Sequence, residues 1–144
     1  MATLQKVLGL TAMLSKRKVF DQCMNKVRIV AADPGKIVAE LTVEEEHQNV
    51  VGTLHGGFTA TIIDSMTTMA LLSRENGQSG VSIDLHISYL AAAKTGDLVT
   101  ITAEALKVGR TMAFTTAELR LQDGTVIARG NHTKHLGNPR PAKK

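Results

Sequence analysis

The residues best suited to chemistry gather in one run, Asn49-Val-Val-Gly-Thr-Leu-His-Gly-Gly-Phe-Thr-Ala-Thr-Ile-Ile-Asp64. His55-Gly56-Gly57 stands at the amino end of a helix-like stretch, where several backbone N–H groups lack intrahelical partners and the dipole is positive. Glycine lets a ligand approach those amides because no Cβ obstructs it. An oxygen gaining negative charge is stabilised there. The plainer reading of a Gly-Gly pair is close packing of helix on sheet. Asp64 lies among Thr61, Ile62, Ile63 and Met66, so its carboxylate is desolvated unless something polar reaches it. It is a candidate general base or nucleophile. The alternative is a carboxylate turned to solvent or bonded to Ser65 or Thr67.

The elements that position these groups follow from periodicity. From about Thr53 to Ser73, Phe58, Ile62, Ile63, Met66, Met69, Ala70, Leu71 and Leu72 cover much of a helix circumference, which predicts a buried helix ending near Arg74-Glu-Asn-Gly77. Before it, residues 26–32 and 36–43 read as strands of a hairpin joined by Asp33-Pro-Gly35. Glu44-Glu-Glu-His47 reads as a solvated acidic connection. After the helix the period becomes two, with Val81, Ile83, Leu85 and Ile87, then Val99, Ile101, Ala103 and Ala105. Two further β runs span 111–121 and 125–136. The short turns at Thr95-Gly-Asp97, Val108-Gly109 and Asp123-Gly124 predict an antiparallel meander of these strands. The sum is an α+β domain over 1–138, an antiparallel sheet wrapped around a central helix, followed by a basic tail at 139–144. Its free edges, above all the strand from Val81, invite pairing with a second copy and predict a dimer.

Composition bounds the rest. The 144 residues suit one domain, and three Phe, one Tyr and no Trp call for an aliphatic core. Cys23, the single cysteine, excludes an intrachain disulfide and a cysteine-based zinc site. It favours a reducing intracellular compartment and reads as a packed thiol. No apolar run approaches the ~20 residues of a membrane span, which predicts a soluble protein. Of the net charge of +4, the final Pro-Arg-Pro-Ala-Lys-Lys supplies three positive side chains. The nearly balanced body argues against nucleic acid. Leu4, Val7, Leu8, Thr11 and Leu14 fall at helical spacing beside Lys6, Lys16, Arg17 and Lys18. This predicts an amphipathic helix packed on the domain, a mitochondrial targeting segment being the alternative.

The run Asn49 to Asp64, followed by Gly80-Val-Ser-Ile-Asp84 and His132-Thr-Lys-His-Leu-Gly137, resembles the hotdog-fold acyl-CoA thioesterases. The resemblance extends from near residue 4 to Asn138. It implies hydrolysis of medium- and long-chain fatty acyl-CoA to fatty acid and CoA, without metal or cofactor, in the cytosol or the mitochondrion. By position, Asn49 and the Gly56 amide polarise the thioester carbonyl, Asp64 activates water, Ser82 orients it, and His55 supports the site. The resemblance further implies substrate contacts at Glu45, Ser82 and Asp84, at Tyr89, Leu90, Ala91, Ala92, Ala93 and Lys94, at Lys107, Val108, Gly109, Arg110, Thr111 and Met112, and at His135. In that second group Lys107 and Arg110 flank the permissive Gly109, which suits phosphate. A homodimer pairing further into a tetramer, and a lipid-binding regulatory protein as partner, are also implied by resemblance alone.

Ser82 conflicts with the alternation, which puts Val81, Ile83, Leu85 and Ile87 on the apolar face and turns Ser82 away from the helix. Either the strand begins irregularly after Gly80, or the site lies at the margin between two subunits. Three other functions compete: nucleic-acid binding through the basic tail, a thioesterase for aryl or other acyl groups, and a non-catalytic acyl-CoA binder. Joint presence of Asn49, Gly56 and Asp64 argues against the last, because binding needs no water-activating acid.

Overall fold

The computed structural model describes residues 1–137, so Asn138, at the end of the expected domain, and the basic tail 139–144 lie outside the described residues. The helices are α1 (Ala2–Ser15) and α2 (Gly56–Leu72). The strands are β1 (Arg28–Asp33), β2 (Lys36–Thr42), β3 (Val81–Tyr89), β4 (Leu98–Val108), β5 (Met112–Leu121) and β6 (Val126–His135). All six strands form one antiparallel sheet in the order β1-β2-β4-β5-β6-β3. The α+β architecture and the hairpin at Asp33-Pro-Gly35 are as expected, with Gly35 at φ 84° where a side chain would be strained.

The meander is shorter than expected. Of its four strands only β4, β5 and β6 are sequential neighbours; β2 lies beside β4, and β3 pairs with β6 at the far edge. The turn expected at Thr95-Gly-Asp97 is present, the Asp97 N–H donating to the Lys94 carbonyl, but it lies within a crossover of residues 90–97 whose backbone is bonded to two separate elements. Leu90 donates to the Ile127 carbonyl, and the Ala93 carbonyl accepts from Leu54 just before α2. Alternation reveals strands but carries no information about which strands are neighbours.

Helix α2 packs across β2, β4, β5 and β6. Its Ile62, Ile63, Met66 and Ala70 join Ile37, Leu41, Ile101 and Leu119 in an aliphatic core, as composition required. The approach to β6 is close: a Cβ on Gly130 would stand 2.8 Å from Ile63 Cγ2. The amino-terminal segment packs beside α2, with α1 against β1. Val7 of α1 is fully buried, Leu4, Leu10 and Leu14 pack against the core, and the 3₁₀ segment Phe20–Met24 rests on α2. The amphipathic helix expected there is therefore present and docked. Cys23 differs from expectation: it is exposed on the 3₁₀ segment rather than packed. Partial burial and the charge of Asp21 push its thiol pKa up.

Candidate active site

At the mouth of α2, His55 is the N-cap, its Nδ1 accepting from the Gly57 N–H at 2.9 Å. A Cβ on Gly57 would stand 3.0 Å from His55 Cε1, so this glycine makes room for the capping ring. At Gly56 a Cβ would meet only the Tyr89 ring, at an ordinary 3.5 Å. Among the described residues the Gly56 amide has no acceptor, while the Gly56 carbonyl accepts from the Tyr89 hydroxyl at 2.7 Å. Asn49 shapes the approach: its Oδ1 accepts from the Val51 and Thr53 amides, both at 3.1 Å, and its Nδ2 donates to Thr53 Oγ1 at 2.9 Å. That leaves the second N–H of the Asn49 amide free to donate.

Asp64 sits eight residues further along the same helix, roughly 12 Å at 1.5 Å per residue. Its side chain is 52% exposed, so the desolvation expected from its apolar neighbours does not occur within one chain. Neither does it bond Ser65 or Thr67: Ser65 donates to Asp21, and Thr67 to the Ile63 carbonyl. Helical position decides this, since residue 64 falls outside the face that meets the sheet.

Beside Asp64 lies a group that sequence reasoning did not nominate. His132 is fully buried, its Nε2 3.9 Å from Asp64 Oδ1. Its Nδ1 is 2.7 Å from Thr67 Oγ1 and its Nε2 is 2.7 Å from Ser82 Oγ. The Thr67 hydroxyl proton is committed to the Ile63 carbonyl at 2.7 Å, so Thr67 accepts from His132 Nδ1–H. In the neutral ring Nε2 is then the acceptor, and the Ser82 hydroxyl donates to it. Burial first, then the Lys134 charge, hold the His132 pKa below its ordinary value. Lys134 is itself buried, with Nζ donating to Thr68 Oγ1 at 2.7 Å, and burial lowers its pKa.

Ser82 thus faces the helix side, contrary to simple alternation, and the irregular-strand alternative is the one observed. The β3–β6 register shifts between Ser82 and Asp84, leaving Ile83 as an extra residue that is 50% exposed. A bulge of one residue reverses the phase before it, which brings Ser82 onto the face of Leu85 and Ile87. The signal for His132 was present on β6, where Ala128, Gly130, His132 and Lys134 share the buried phase. A histidine and a lysine in that phase mark a polar patch inside the fold.

The remaining expected contacts divide into two groups. Tyr89 to Lys94 lie near the mouth of α2, tied to it through Tyr89 and Ala93, whose side chain is buried; Lys94 is exposed. The tip Lys107 to Met112 lies at the other end of the sheet. There Met112 pairs with His135, His135 pairs with Val81, and the Thr111 carbonyl accepts from Leu136. Eight residues of β3 separate Val81 from Tyr89, roughly 27 Å of strand. Glu45 is exposed in a one-turn 3₁₀ helix before Asn49, and Asp84 is exposed on β3 near His132. The candidate residues therefore fall into two groups: a donor half with Asn49, His55, Gly56 and Tyr89, and an acid half with Asp64, Ser82 and His132.

The sequence profile of the Thioesterase superfamily matches residues 51–128, a span that holds His55, Gly56, Asp64, Ser82 and Tyr89 but neither Asn49 nor His132. The chain belongs to that superfamily. This thioesterase is 50% identical over 126 residues to human acyl-coenzyme A thioesterase 13, the match covering 87% of this chain and 90% of the relative. The crystal structure of zebra fish thioesterase superfamily member 2 superposes on it with a TM-score of 0.90 at 47% identity, covering 93% and 98% of the two chains. A hypothetical thioesterase from Streptococcus pneumoniae, in a structure with coenzyme A, aligns at TM-score 0.75 and 26% identity over 81% and 90%. The architecture of this thioesterase is the hotdog fold that the resemblance implied.

Proposed function

We propose that this thioesterase hydrolyses medium- and long-chain fatty acyl-CoA in a site shared by two subunits. The observation that carries the reading is the separation of donor half and acid half along one helix, since one carbonyl carbon cannot touch groups roughly 12 Å apart. Pairing two chains by a two-fold axis at the β3 edges sets the mouth of one α2 against Asp64 of the other. Exposed Val81 and Ile83 on β3 and the open carboxylate of Asp64 fit such pairing.

In that site the Gly56 N–H and the free Asn49 N–H donate to the thioester oxygen. Ser82, whose proton is engaged by His132, offers lone pairs to a water, and Asp64 accepts that water's proton as its oxygen attacks the carbonyl carbon. Collapse of the tetrahedral adduct breaks the C–S bond and returns the proton from Asp64 to the CoA thiolate. The tip at Lys107 and Arg110 and the segment from Tyr89 to Lys94, far apart in one chain, contribute to CoA binding from opposite subunits. Pairing of dimers into a tetramer, a lipid-binding regulatory partner, and a cytosolic or mitochondrial location belong to the same reading.

Complementation tests it. Asn49→Ala and Asp64→Ala are each expected to hydrolyse acyl-CoA at about 1% of the wild-type rate or less. Mixed and allowed to exchange, random pairing makes half the dimers hybrids with one intact site of two, so activity should recover to roughly a quarter. No recovery, with exchange confirmed by native mass spectrometry, places each site within a single chain.

A further inference from the structure

Lys134 is only 4% exposed, yet among the described residues no carboxylate lies within 4.0 Å of its ammonium. A buried cation without a close counter-charge is costly and calls for a reason. Its place is fixed by α2. Lys134 Nζ donates to Thr68 Oγ1 at 2.7 Å, and that hydroxyl donates onward to the Asp64 carbonyl at 2.8 Å. Two residues back on β6, His132 meets α2 in the same way: its Nδ1 is 2.7 Å from Thr67 Oγ1, whose proton goes to the Ile63 carbonyl. Adjacent threonines of α2 thus hold a buried imidazole and a buried ammonium side by side. Their strand positions are roughly 7 Å apart.

We propose that Lys134 is a positioning residue: its ammonium keeps a second proton off His132, so that Nε2 remains the acceptor for the Ser82 hydroxyl. The role rests on the acyl-CoA reading above, in which Ser82 offers lone pairs to the attacking water. Were His132 to take up a proton, Nε2 would become a donor. The Ser82 oxygen would then accept from the ring and turn its own proton outward, presenting O–H where the water needs an acceptor. The pull toward that state is built into the site. From α2, Asp64 Oδ1 lies 3.9 Å from Nε2, and from β3 Asp84 adds a second negative charge. On the other side β5 sets Thr115 opposite His132 and brings no charge. Burial and the Lys134 charge oppose the two carboxylates and lower the His132 pKa. Lys134 therefore offsets the general base that stands beside the ring.

The test follows kcat with dodecanoyl-CoA and the nitrogen NMR resonances of the His132 ring as pH is lowered, in wild type, Lys134→Met and Lys134→Arg. Two unit charges roughly 7 Å apart at an effective dielectric of about 20 alter a proton-binding constant by at least about tenfold. In Lys134→Met the ring should therefore titrate at higher pH than in wild type. The ratio of wild-type to Lys134→Met kcat should grow toward about tenfold as pH falls and shrink as pH rises. A packing defect lowers kcat alike at every pH. Lys134→Arg keeps the charge and should bring both titrations back toward wild type. If His132 titrates alike in wild type and Lys134→Met, or if Lys134→Arg moves it as far as Lys134→Met, the ammonium does not govern the ring; the proposal fails while the acyl-CoA reading stands. If the ring's titration moves but the kcat ratio is flat with pH, the charge on His132 does not set Ser82, and the positioning role fails. If wild type hydrolyses no acyl-CoA, that reading falls and the role falls with it.

Discussion

Replacing His132 by alanine should lower both stability and turnover, and the size of each follows from what the imidazole touches. The ring is fully buried and makes two hydrogen bonds, to Thr67 Oγ1 and Ser82 Oγ, both at 2.7 Å. Two such bonds contribute about 2 kcal/mol net. The space left behind, roughly 70 Å³ at about 24 cal/mol per Å³, costs about another 1.7 kcal/mol. No penalty for orphaned groups is added, because Thr67 still donates to the Ile63 carbonyl and Ser82, at the surface, can turn to water. The sum is about 3–4 kcal/mol, or about 10 °C in Tm for a chain of this length. Urea unfolding at fixed protein concentration reads it as a shift in midpoint at constant slope. Turnover should fall at least about tenfold with KM little changed, since Ser82 loses the acceptor that orients its hydroxyl. Ser82→Ala in a double-mutant cycle should show coupling of about 1 kcal/mol with His132. A midpoint shift under about 1 kcal/mol, or wild-type kcat in His132→Ala, would refute the assigned network.

Acid should weaken the fold through the same residue. Its folded pKa lies below the ordinary value of about 6.5, so the unfolded chain binds more protons as pH falls. The contribution of His132 is therefore complete above about pH 6.5 and is lost as pH drops through the folded value. Urea midpoints from pH 8 downward check this, and His132→Ala should remove part of the slope. Gly130→Ala should destabilise by about 1–3 kcal/mol, because its Cβ would meet Ile63 Cγ2 at 2.8 Å and Cδ1 at 3.1 Å. A melting temperature equal to that of wild type would show that α2 can retreat from β6 without cost.

Much of the donor half was legible in sequence because it is local. A histidine followed by two glycines at the start of an apolar helix determines its own cap, and Asn49 closes a turn with residues four positions or fewer away. The acid half was legible only in part. Asp64 and Ser82 were named, but the group that unites them stands on β6, 68 residues from Asp64 and 50 from Ser82. The bulge at Ile83 that aims Ser82 inward has no signature in an unbroken run of alternating residues. The edge position of β3 likewise depends on a crossover through residues 90–97 that the turn residues at 95–97 disguise.

The sequence by itself determined the number and type of elements, the aliphatic core and the polarity at the start of α2, since each of these depends on neighbours within a turn or a strand. Tertiary structure alone decided strand order, the phase of Ser82, the burial of His132 and Lys134, and the exposure of Asp64. The reason is physical: such properties depend on which surfaces meet across the fold. Residues 64, 82 and 132 become neighbours only when β3 crosses to the far edge of the sheet and pairs with β6.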